Sequence, residues 1–423
     1  MIVIGIDLGT SGARAVAMDE GFAIVAEAAA DLADHGPDPR DPAAWWGAVA
    51  AALDGVLARI DRARVRALAV DGTSGTVLAV DAAGRPASTP LMYNDPVADA
   101  AILEKIASEA PAASAAHGPT SGLAKAMTMQ DRPGVARILH QADWIAGRFS
   151  GSFHLSDENN ALKTGYDPVA RRWPAWIART GARVDLLPEV REPGSPVGTV
   201  TSAAAARFGL PADTLVVAGA TDGCASFLAT GADEPGAGVT ALGSSLTIKM
   251  LSDVPRFAPE YGIYSHRIGD AWLAGGASNT GGKVLLAHFP RADLADLSQR
   301  IDPETDSGLD YYPLLQPGER FPVADPLLAP RLTPRPDDDA LFLKGMLEGI
   351  AAVEALAYAR LCDLGAPALA SVRSVGGGAA NPVWTRIRQR RLKVPFLAAH
   401  STEAAAGTAR LALAGARAAG VTP

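Results

Sequence analysis

A short glycine-rich turn near the start of the chain, preceded by a carboxylate, has the residue types needed to bind a phosphate group and a divalent cation. The turn consists of Gly9, Thr10, Ser11 and Gly12, and Asp7 stands two residues before it. Glycines let the backbone N–H groups of a turn point together at an anion, and the two hydroxyl groups add donors. A carboxylate beside an anion is tolerated when a cation lies between them, which indicates Mg²⁺ and a polyphosphate. A plain hairpin turn could have the same sequence.

The residues on both sides of this turn must position it at the end of a strand. Residues 3–7 and 13–18 are apolar runs typical of strands, so the chain is predicted to fold back as a β-hairpin. The glycine spacing does not fit the dinucleotide-binding fingerprint, in which a helix follows the turn. The nearest candidate for a Walker loop, residues 276–284, lacks its first glycine and the Ser or Thr after the lysine.

The same pattern of strand, polar turn and returning strand occurs again in the second half of the chain. Gly243 and Ser244 begin this second turn, and Ala241 occupies the position that corresponds to Asp7. Two similar hairpins indicate a duplicated domain, with residues 233–238 as the best boundary. The second copy keeps a possible phosphate turn and loses the metal carboxylate. This asymmetry predicts a site between the two halves.

Two further polar loops follow apolar strands. The run from Asp71 to Thr76 follows residues 65–70, and Asp222 follows residues 215–220 and precedes a glycine that opens a helix. In α/β proteins such loops line the crevice at the carboxyl ends of the strands. A tight turn in the first case and a helix cap in the second are the alternative interpretations.

Other stretches have residue types suited to a ligand. Residues 93–95, Tyr-Asn-Asp, offer groups that hydrogen bond sugar hydroxyls, although a turn satisfied by its own side chains would look much the same. Three glycines at 376–378 would let a flat base or ribose lie against the backbone. The helix after them has a basic pattern that is typical of a solvated face, with Arg386, Arg388, Arg390 and Arg391.

Helical signals are clearest in four parts of the chain. Asp41 is a suitable N-cap, with Pro42 at the first helical position, for a helix that runs to about Ile60. Residues 97–150 are predicted to be helical, as are residues 341–364, which have apolar residues at helical spacing. A final helix is expected to open at residues 402–407.

Length and composition indicate a folded protein of two domains. The chain has 423 residues, of which 48% are hydrophobic and 20% charged, so disorder is not expected. Its formal net charge of −8 argues against binding of nucleic acid or anionic membranes. Two cysteines, Cys224 and Cys362, form no disulfide framework, and the chain shows no signal peptide or long apolar run. A cytoplasmic location is therefore expected.

Taken in order, these segments resemble the carbohydrate kinases named for their FGGY signature. The resemblance runs over nearly the whole chain and is carried by residues 7–11, 156–165, 219–223, 242–247, 279–282 and 376–384. It is most similar to a compact subgroup that phosphorylates ketopentoses. The implied fold is α/β, with two ribonuclease H-like domains of the actin-like ATPase fold and a cleft between them, each domain having a five-stranded mixed sheet. Residues 1–233 would form the sugar-binding and catalytic domain, and residues 234–423 the nucleotide-binding domain.

The resemblance also implies ligands and roles for residues at matching positions. ATP and Mg²⁺ are the expected cofactors, a small sugar is the expected partner, and the expected state is a monomer or homodimer. Asp222 would be the catalytic base, Asp7 the metal-linked carboxylate, and Gly9, Thr10 and Ser11 the γ-phosphate turn, with Thr10 also catalytic. The other implied nucleotide contacts are Gly243, Ser244, Asn279, Gly282, Gly377, Gly378 and Asn381. The implied sugar contacts are Asp7, Asp71, Ser74, Asp95 and Asp222.

The expected activity is ATP-dependent transfer of the γ-phosphate to a primary hydroxyl of a ketopentose, with D-ribulose first. D-xylulose or another small polyol is the alternative substrate, and a sugar-independent, ATP-driven conformational switch is the alternative of a different class. One position departs from the family pattern. Many relatives have an arginine two residues after the position of Asp95, whereas this chain has Val97.

Overall fold

The computed structural model describes residues 1–421, which divide into two compact units. The first comprises residues 1–229, 266–269 and 403–421, and the second comprises residues 230–265 and 270–402. Within residues 1–421 the strands are β1 (Ile2–Leu8), β2 (Gly12–Asp19), β3 (Ile24–Asp31), β4 (Val65–Gly72), β5 (Val77–Val80), β6 (Arg137–His140), β7 (Leu155–Asp157), β8 (Glu189–Arg191), β9 (Pro196–Thr199), β10 (Leu215–Thr221), β11 (Ala237–Leu242), β12 (Leu246–Ser252), β13 (Tyr264–Ile268), β14 (Ala271–Ala277), β15 (Ser371–Val375) and β16 (Phe396–Leu397).

The α-helices over the same described range alternate with these strands. They are α1 (Pro42–Leu57), α2 (Ala100–Glu109), α3 (Gly122–Met129), α4 (Gln141–Ser150), α5 (Glu158–Ala161), α6 (Trp176–Arg179), α7 (Ser202–Phe208), α8 (Asp222–Ala229), α9 (Gly282–His288), α10 (Arg291–Gln299), α11 (Asp339–Asp363), α12 (Pro382–Leu392) and α13 (Ala404–Ala418). None of them is both long and apolar enough to cross a bilayer.

The main sheet of the first unit has the order β3-β2-β1-β4-β10-β9. The predicted opening hairpin is confirmed, since β1 pairs antiparallel with β2. β1 also pairs parallel with β4, and β4 pairs parallel with β10. All seven residues of β1 are buried because helices cover both faces of the sheet. The carboxyl ends of β1, β4 and β10 therefore meet at one edge.

Helices α1 and α13 lie on opposite faces of this sheet. On one face α1 packs through Trp45, Val49 and Leu53, all fully buried, and Asp41 caps the helix as predicted by accepting from the Ala43 N–H. On the other face α13 lies so close to β1 that a Cβ atom at Gly5 would be 2.0 Å from the Ala405 carbonyl oxygen. Glycine at this position lets the helix and the strand approach closely.

The sheet of the second unit has the order β13-β14-β12-β11-β15-β16. Its β11–β12 hairpin confirms the predicted second copy, and β11 pairs parallel with β15, as β1 does with β4. The long helix α11 lies within the hydrophobic core of this unit, as its apolar spacing predicted. The two units thus share one strand plan: an antiparallel hairpin followed by a parallel strand.

Two details of the prediction are wrong. Each sheet has six strands instead of five, because β9 and β13 extend the edges. Residues 97–150 are not helical throughout: α2, α3 and α4 lie in this range, but residues 137–140 form β6, which pairs with β5. This pairing joins residues about 60 positions apart, with Val77 opposite His140, so local helical periodicity gave no sign of it.

The division into two units also differs from the predicted one. The boundary near residue 230 is close to the predicted residue 233, but residues 403–421 return to the first unit. The physical reason is the packing of α13, whose small residues Ala405, Ala406 and Ala409 lie in a core cluster with Val3 of β1. The alanines and glycines of this helix make such close packing possible.

We predict that Gly407→Ala destabilises the protein although alanine favours helix formation. Helix propensity alone would stabilise α13 by about 1 kcal/mol. A Cβ atom at this position, however, would lie 1.9 Å from the Ala225 carbonyl oxygen of α8. Overpacking against rigid backbone should outweigh the gain and give a net loss of roughly 2 kcal/mol. Urea unfolding measures the difference, with Ala414→Ser on the exposed side of the same helix as control. A stabilised Gly407→Ala variant would contradict this packing.

Candidate active site

Three carboxyl groups meet where the parallel strands of the first unit end. Asp7 and Asp71 are direct partners in the register of β1 and β4, and Asp222 follows the last residue of β10. The charge of Asp222 acts on both other groups. The structure therefore brings together three of the predicted site residues at the sheet edge, because parallel strands carry their carboxyl ends to the same side.

The two paired carboxyl groups differ in their protonation. Burial raises the pKa of Asp71 well above its ordinary value, and the charge of Asp7 raises it further. Burial also raises the pKa of Asp7, whereas its hydrogen bond with Asp71 lowers it. These shifts favour the protonated form of Asp71, so of the two groups Asp71 is the better donor and Asp7 the better acceptor.

Asp71 lies in a different place from the one that the sequence suggested. It was expected among the sugar contacts, but its side chain is fully buried, and it accepts a hydrogen bond from the Thr408 hydroxyl of α13. Asp7 in contrast is 7% exposed. Asp71 is therefore not placed to touch a ligand at the surface, and its side chain contacts Asp7 instead.

The predicted phosphate turn lies directly beyond Asp7. The Gly9 N–H donates to the Gly12 carbonyl at 3.0 Å and closes the turn, and the Leu32 N–H donates to the Ser11 carbonyl at 2.9 Å. Thr10 and Ser11 at its tip are exposed. The tip of the turn thus presents two hydroxyl groups and its backbone to solvent, as an anion site requires.

Arg14 is a further charged residue at this edge that the sequence analysis missed. It lies opposite Asp7 in the β1–β2 register, with Nη1 at 3.9 Å from Asp7 Oδ2 and Nε at 3.2 Å from Glu403 Oε2. Its side chain is 57% exposed. The hairpin register was the available signal, since pairing of Leu8 with Ala13 places Asp7 beside Arg14.

Asp222 is the first residue of α8, one position before the glycine that was predicted to open this helix, and it is half-buried. Its Oδ1 accepts from the Gly223 N–H at 2.7 Å. The strand before it is held by a buried polar segment: the Asn160 amide donates to the Ala220 carbonyl at 3.0 Å and to Asp157 Oδ2 at 2.6 Å. Burial raises the pKa of Asp157 to about 6, with the charge of Asp143 as the next cause. This segment fixes the backbone from which the Asp222 side chain projects.

Ser74 and Asp95, the other predicted sugar contacts, lie on two loops of the first unit. Asp95 forms a bidentate pair with Arg40, with Nη2–Oδ1 at 2.7 Å and Nε–Oδ2 at 3.2 Å, and also accepts from the Met92 N–H. Arg40 was not predicted. Val97, at the position where the family resemblance implies an arginine, is buried in an apolar cluster. Arg40, 55 residues earlier in the chain, supplies a guanidinium next to Asp95.

In the second unit the turn at Gly243 and Ser244 is braced by the loop that contains Asn279 and Gly282. The Gly282 N–H donates to the Gly243 carbonyl at 2.8 Å, and the Lys283 N–H donates to the Ser244 carbonyl at 3.2 Å. A Cβ atom at Gly282 would lie 2.8 Å from the Gly243 carbonyl oxygen. The predicted glycine is thus required for contact between the two loops.

Glu319 anchors this loop and was also missed. Its buried carboxylate accepts from the Ser278 hydroxyl at 2.5 Å, the Asn279 N–H at 2.6 Å and the Tyr312 hydroxyl at 3.0 Å. The Asn279 side-chain amide donates to the Gly318 carbonyl. The amide of Asn279 is therefore used to hold the loop in place.

The glycine-rich stretch after β15 contains one open position. A Cβ atom at Gly377 would have no atom within 4 Å, whereas one at Gly378 would lie 2.5 Å from the Trp384 ring. Asn381 caps α12 by accepting from the Val383 and Trp384 N–H groups, and its amide donates to Ser298. The open face at Gly377 is where a flat group could lie, and Gly378 and Asn381 have structural contacts.

The predicted solvated face of α12 is wrong for Arg388. This arginine is fully buried and forms a bidentate pair with Glu354 of α11, with distances of 2.6 and 2.7 Å. Its Nη1 donates to Ser374 of β15, and Thr240 of β11 donates to Glu354. Thr240 and Ser374 are register partners. The ion pair therefore fixes the strands that lead into the Gly243 turn and the Gly377 stretch.

The first unit has the donor chemistry for a hard cation at Asp7. No group of three or more His, Cys, Asp or Glu side chains in the part of the chain that the structure describes could hold a metal ion alone. Mg²⁺, however, is commonly bound by one or two carboxylates together with substrate phosphates and water. The charges of Asp222 and Glu403 add to the negative potential at Asp7, which a cation would offset.

Two family models, one near each end of the chain, match this protein and belong to the same family. The model of the N-terminal domain of the FGGY family of carbohydrate kinases matches residues 2–117, and the model of its C-terminal domain matches residues 238–416. The autoinducer-2 kinase of Yersinia enterocolitica is 29% identical over 270 residues, which cover 58% of this chain and 50% of that protein. The chain spans about half the length of this curated relative.

Two solved structures have the same two-domain α/β fold. The xylulose kinase from Rhodospirillum rubrum has a TM-score of 0.84 and 24% identity, with 97% of this chain and 89% of that chain covered. A xyloylose kinase from Brucella ovis has a TM-score of 0.87 and 24% identity, with 99% and 91% covered. At this level of identity the likeness shows the fold, which is the actin-like ATPase fold that the sequence predicted.

We predict that Asp71→Asn is tolerated and that Asp71→Ala is not. Asparagine can donate to Asp7 through its amide and accept from Thr408, as the protonated carboxyl does. Alanine can do neither, so the buried groups of Asp7 and Thr408 each lose a hydrogen-bond partner, which costs about 1–3 kcal/mol. The free energies of unfolding of the two variants and the parent, measured in urea at pH 7, test this. Equal losses for Asn and Ala would show that Asp71 is ionised in the folded protein.

Proposed function

Because the chain belongs to the FGGY family of carbohydrate kinases, we propose that it transfers the γ-phosphate of ATP to a primary hydroxyl of a ketopentose, with D-ribulose as the first candidate. The observation that carries this proposal is the meeting of Asp7, Asp222 and the Thr10–Ser11 turn at one edge of the first sheet. D-Ribulose is suggested by the resemblance of the compact chain and its residues 71–76 to the ketopentose-specific subgroup.

Asp222 is assigned the role of base in this reaction. Phosphoryl transfer proceeds through a loose transition state, so positioning and charge neutralisation account for most of the rate increase. The Asp222 carboxylate would orient the hydroxyl in line with the γ-phosphate and accept its proton late, since an alcohol is far less acidic than a carboxylic acid. Thr10 and Ser11 would donate hydrogen bonds to the phosphate oxygens.

Asp7 is assigned to Mg²⁺, and the second unit to the rest of the nucleotide. Mg²⁺, when bound, neutralises charge on the phosphate oxygens. Asp71 would keep the Asp7 carboxylate oriented and ionised through the hydrogen bond described above. In the second unit, the turn at Gly243 and Ser244 would receive phosphate and the open backbone at Gly377 the adenosine. Asn279, Gly282, Gly378 and Asn381 would shape these loops.

Other substrates follow from the names of the relatives. D-Xylulose is the second candidate, since two proteins of this fold are named xylulose and xyloylose kinase, and autoinducer-2 is the third. A sugar-independent, ATP-driven switch would use the same phosphate turns without Ser74 and Asp95. Dependence of ATP turnover on an added polyol separates the kinase from the switch.

We predict that ADP release with Mg²⁺ and ATP rises at least tenfold on addition of a ketopentose. The assay compares D-ribulose, D-xylulose, autoinducer-2, aldopentoses and alditols, and mass spectrometry identifies the phosphorylated product. A rise with a different polyol alone would overturn the ketopentose assignment. Steady ATP turnover that no polyol changes would favour the switch.

We further predict that Asp222→Asn lowers kcat by about 10² or more, the usual scale of general-base assistance, and leaves the affinity for nucleotide nearly unchanged. Asn keeps the shape of the side chain and can still accept from the Gly223 N–H, but it cannot act as a base. Asp213→Asn, an exposed carboxylate before β10, is the matched control. Parent-like kcat in a folded Asp222→Asn variant would exclude Asp222 as the base.

Asp7→Ala should have a different kinetic signature. It removes the carboxylate assigned to Mg²⁺, so the KM for Mg²⁺-ATP should rise and part of the lost activity should return at higher Mg²⁺ concentration. Titration of the rate with Mg²⁺ at fixed ATP measures this. A loss of kcat that is independent of Mg²⁺ would contradict the metal assignment.

A further inference from the structure

We propose that Lys125 is a positioning residue of the sugar-side site, which joins the two loops that carry Ser74 and Asp95 and fixes their separation. The inference rests on the proposed function, because that proposal assigns these two loops to the sugar. Neither the family match nor the predicted site residues include Lys125.

The contacts of Lys125 connect the two loops directly. Its side chain projects from α3 and is fully buried. The ammonium donates to the Gly75 carbonyl at 2.8 Å and to the Met92 carbonyl at 2.6 Å. Gly75 is the neighbour of Ser74, and the Met92 N–H donates to Asp95 Oδ2. A single buried cation therefore holds the backbone of both loops next to the two candidate sugar contacts.

A buried ammonium is a costly way to hold a protein core together. Its two acceptors are neutral carbonyl groups, and burial lowers the pKa of Lys125 to about 8, with the charge of Lys163 as the next cause. A methionine of similar volume would fill the same space without desolvating a charge. The lysine therefore contributes something other than packing, and its hydrogen-bond geometry indicates that it sets the positions of the loops.

The groups around Lys125 support this assignment. The charge of Asp95 favours the charged form of Lys125, whereas the charge of Lys163 disfavours it. The Lys163 Nζ lies 3.4 Å from the Ser74 carbonyl oxygen. Arg40 binds Asp95 from the exposed side. The Tyr93 N–H donates to the Thr76 hydroxyl and forms a second link between the loops. Lys125 thus holds the loops from the core side, and Arg40 holds Asp95 from the solvent side.

The test uses Lys125→Met in the full chain, with Lys105→Met as the matched control. Lys105 lies on α2 with its side chain half exposed and pairs with Glu109 at the surface. With whichever sugar the parent phosphorylates, Lys125→Met should raise the KM for the sugar at least tenfold and leave the KM for ATP within twofold. The control should change neither constant. Equal changes in both constants, or none, would overturn the proposal, since a merely structural lysine would not affect the sugar alone.

A second measurement is independent of activity. Amide hydrogen exchange should become at least tenfold faster in peptides that cover residues 72–77 and 91–96 of Lys125→Met, and remain unchanged in β1 and β4. Unchanged exchange in both loops would reject Lys125 as the link. If the parent phosphorylates no sugar, the proposed function fails while this measurement still decides the role of Lys125. Lys125→Gln, which keeps one donor, serves if the methionine variant does not fold. If neither variant folds, Lys125 is a general core residue and the proposal is rejected.

Discussion

The parallel register of β1 and β4 is the constraint on which the chemistry of the first unit depends. It places Asp7 and Asp71 side by side at a buried sheet edge, where two ionised carboxylates would repel each other strongly. The repulsion is resolved when Asp71 keeps a proton and donates to Asp7. The Thr408 hydroxyl of α13 supplies a further donor to Asp71. The last helix of the chain thus supports the first carboxylate of the site, which gives a physical reason for its place in the first unit.

The second unit has the same strand plan, but a buried ion pair orders the ends of its parallel strands. Thr240 and Ser374 occupy paired positions on β11 and β15, and the buried Arg388–Glu354 pair joins them from the helical layer. Removing one partner of such a pair is costly because the other charge remains buried, on the order of 3–5 kcal/mol. The pair holds β11 and β15 in place, and both strands lead directly into glycine-rich loops. One unit therefore uses a carboxyl pair and the other an ion pair to order the ends of parallel strands.

The features that the sequence predicted are those with local signatures. The two hairpins, the cap at Asp41 and the glycine-rich turns each depend on residues within a few positions of one another, and they have the predicted form. Apart from Arg14, which faces Asp7 within the first hairpin, the contacts that were missed involve distant partners. Arg40 meets Asp95 across 55 residues, Lys125 meets Met92 across 33, and Arg388 meets Glu354 across 34. A basic residue in a helix pattern looks solvated until its partner is known, which is why Arg388 was assigned to the surface.

Features that depend on local contacts can be inferred from family membership, whereas features that depend on distant contacts cannot. A phosphate turn is built from backbone N–H groups and a few hydroxyls, so glycine spacing at the end of a strand is nearly sufficient to specify it. The two loops that we propose for the sugar depend instead on side chains from elsewhere in the chain: Arg40 binds Asp95, and Lys125 donates to the backbone of both loops. A change at Arg40 or Lys125 can therefore move Asp95 or Ser74 without altering any residue of the proposed phosphate turns. Proteins with the same phosphate turns can therefore differ in the side chains that meet a substrate, and the pairing of Arg40 with Asp95 in this chain is a contact that the glycine-rich turns do not specify.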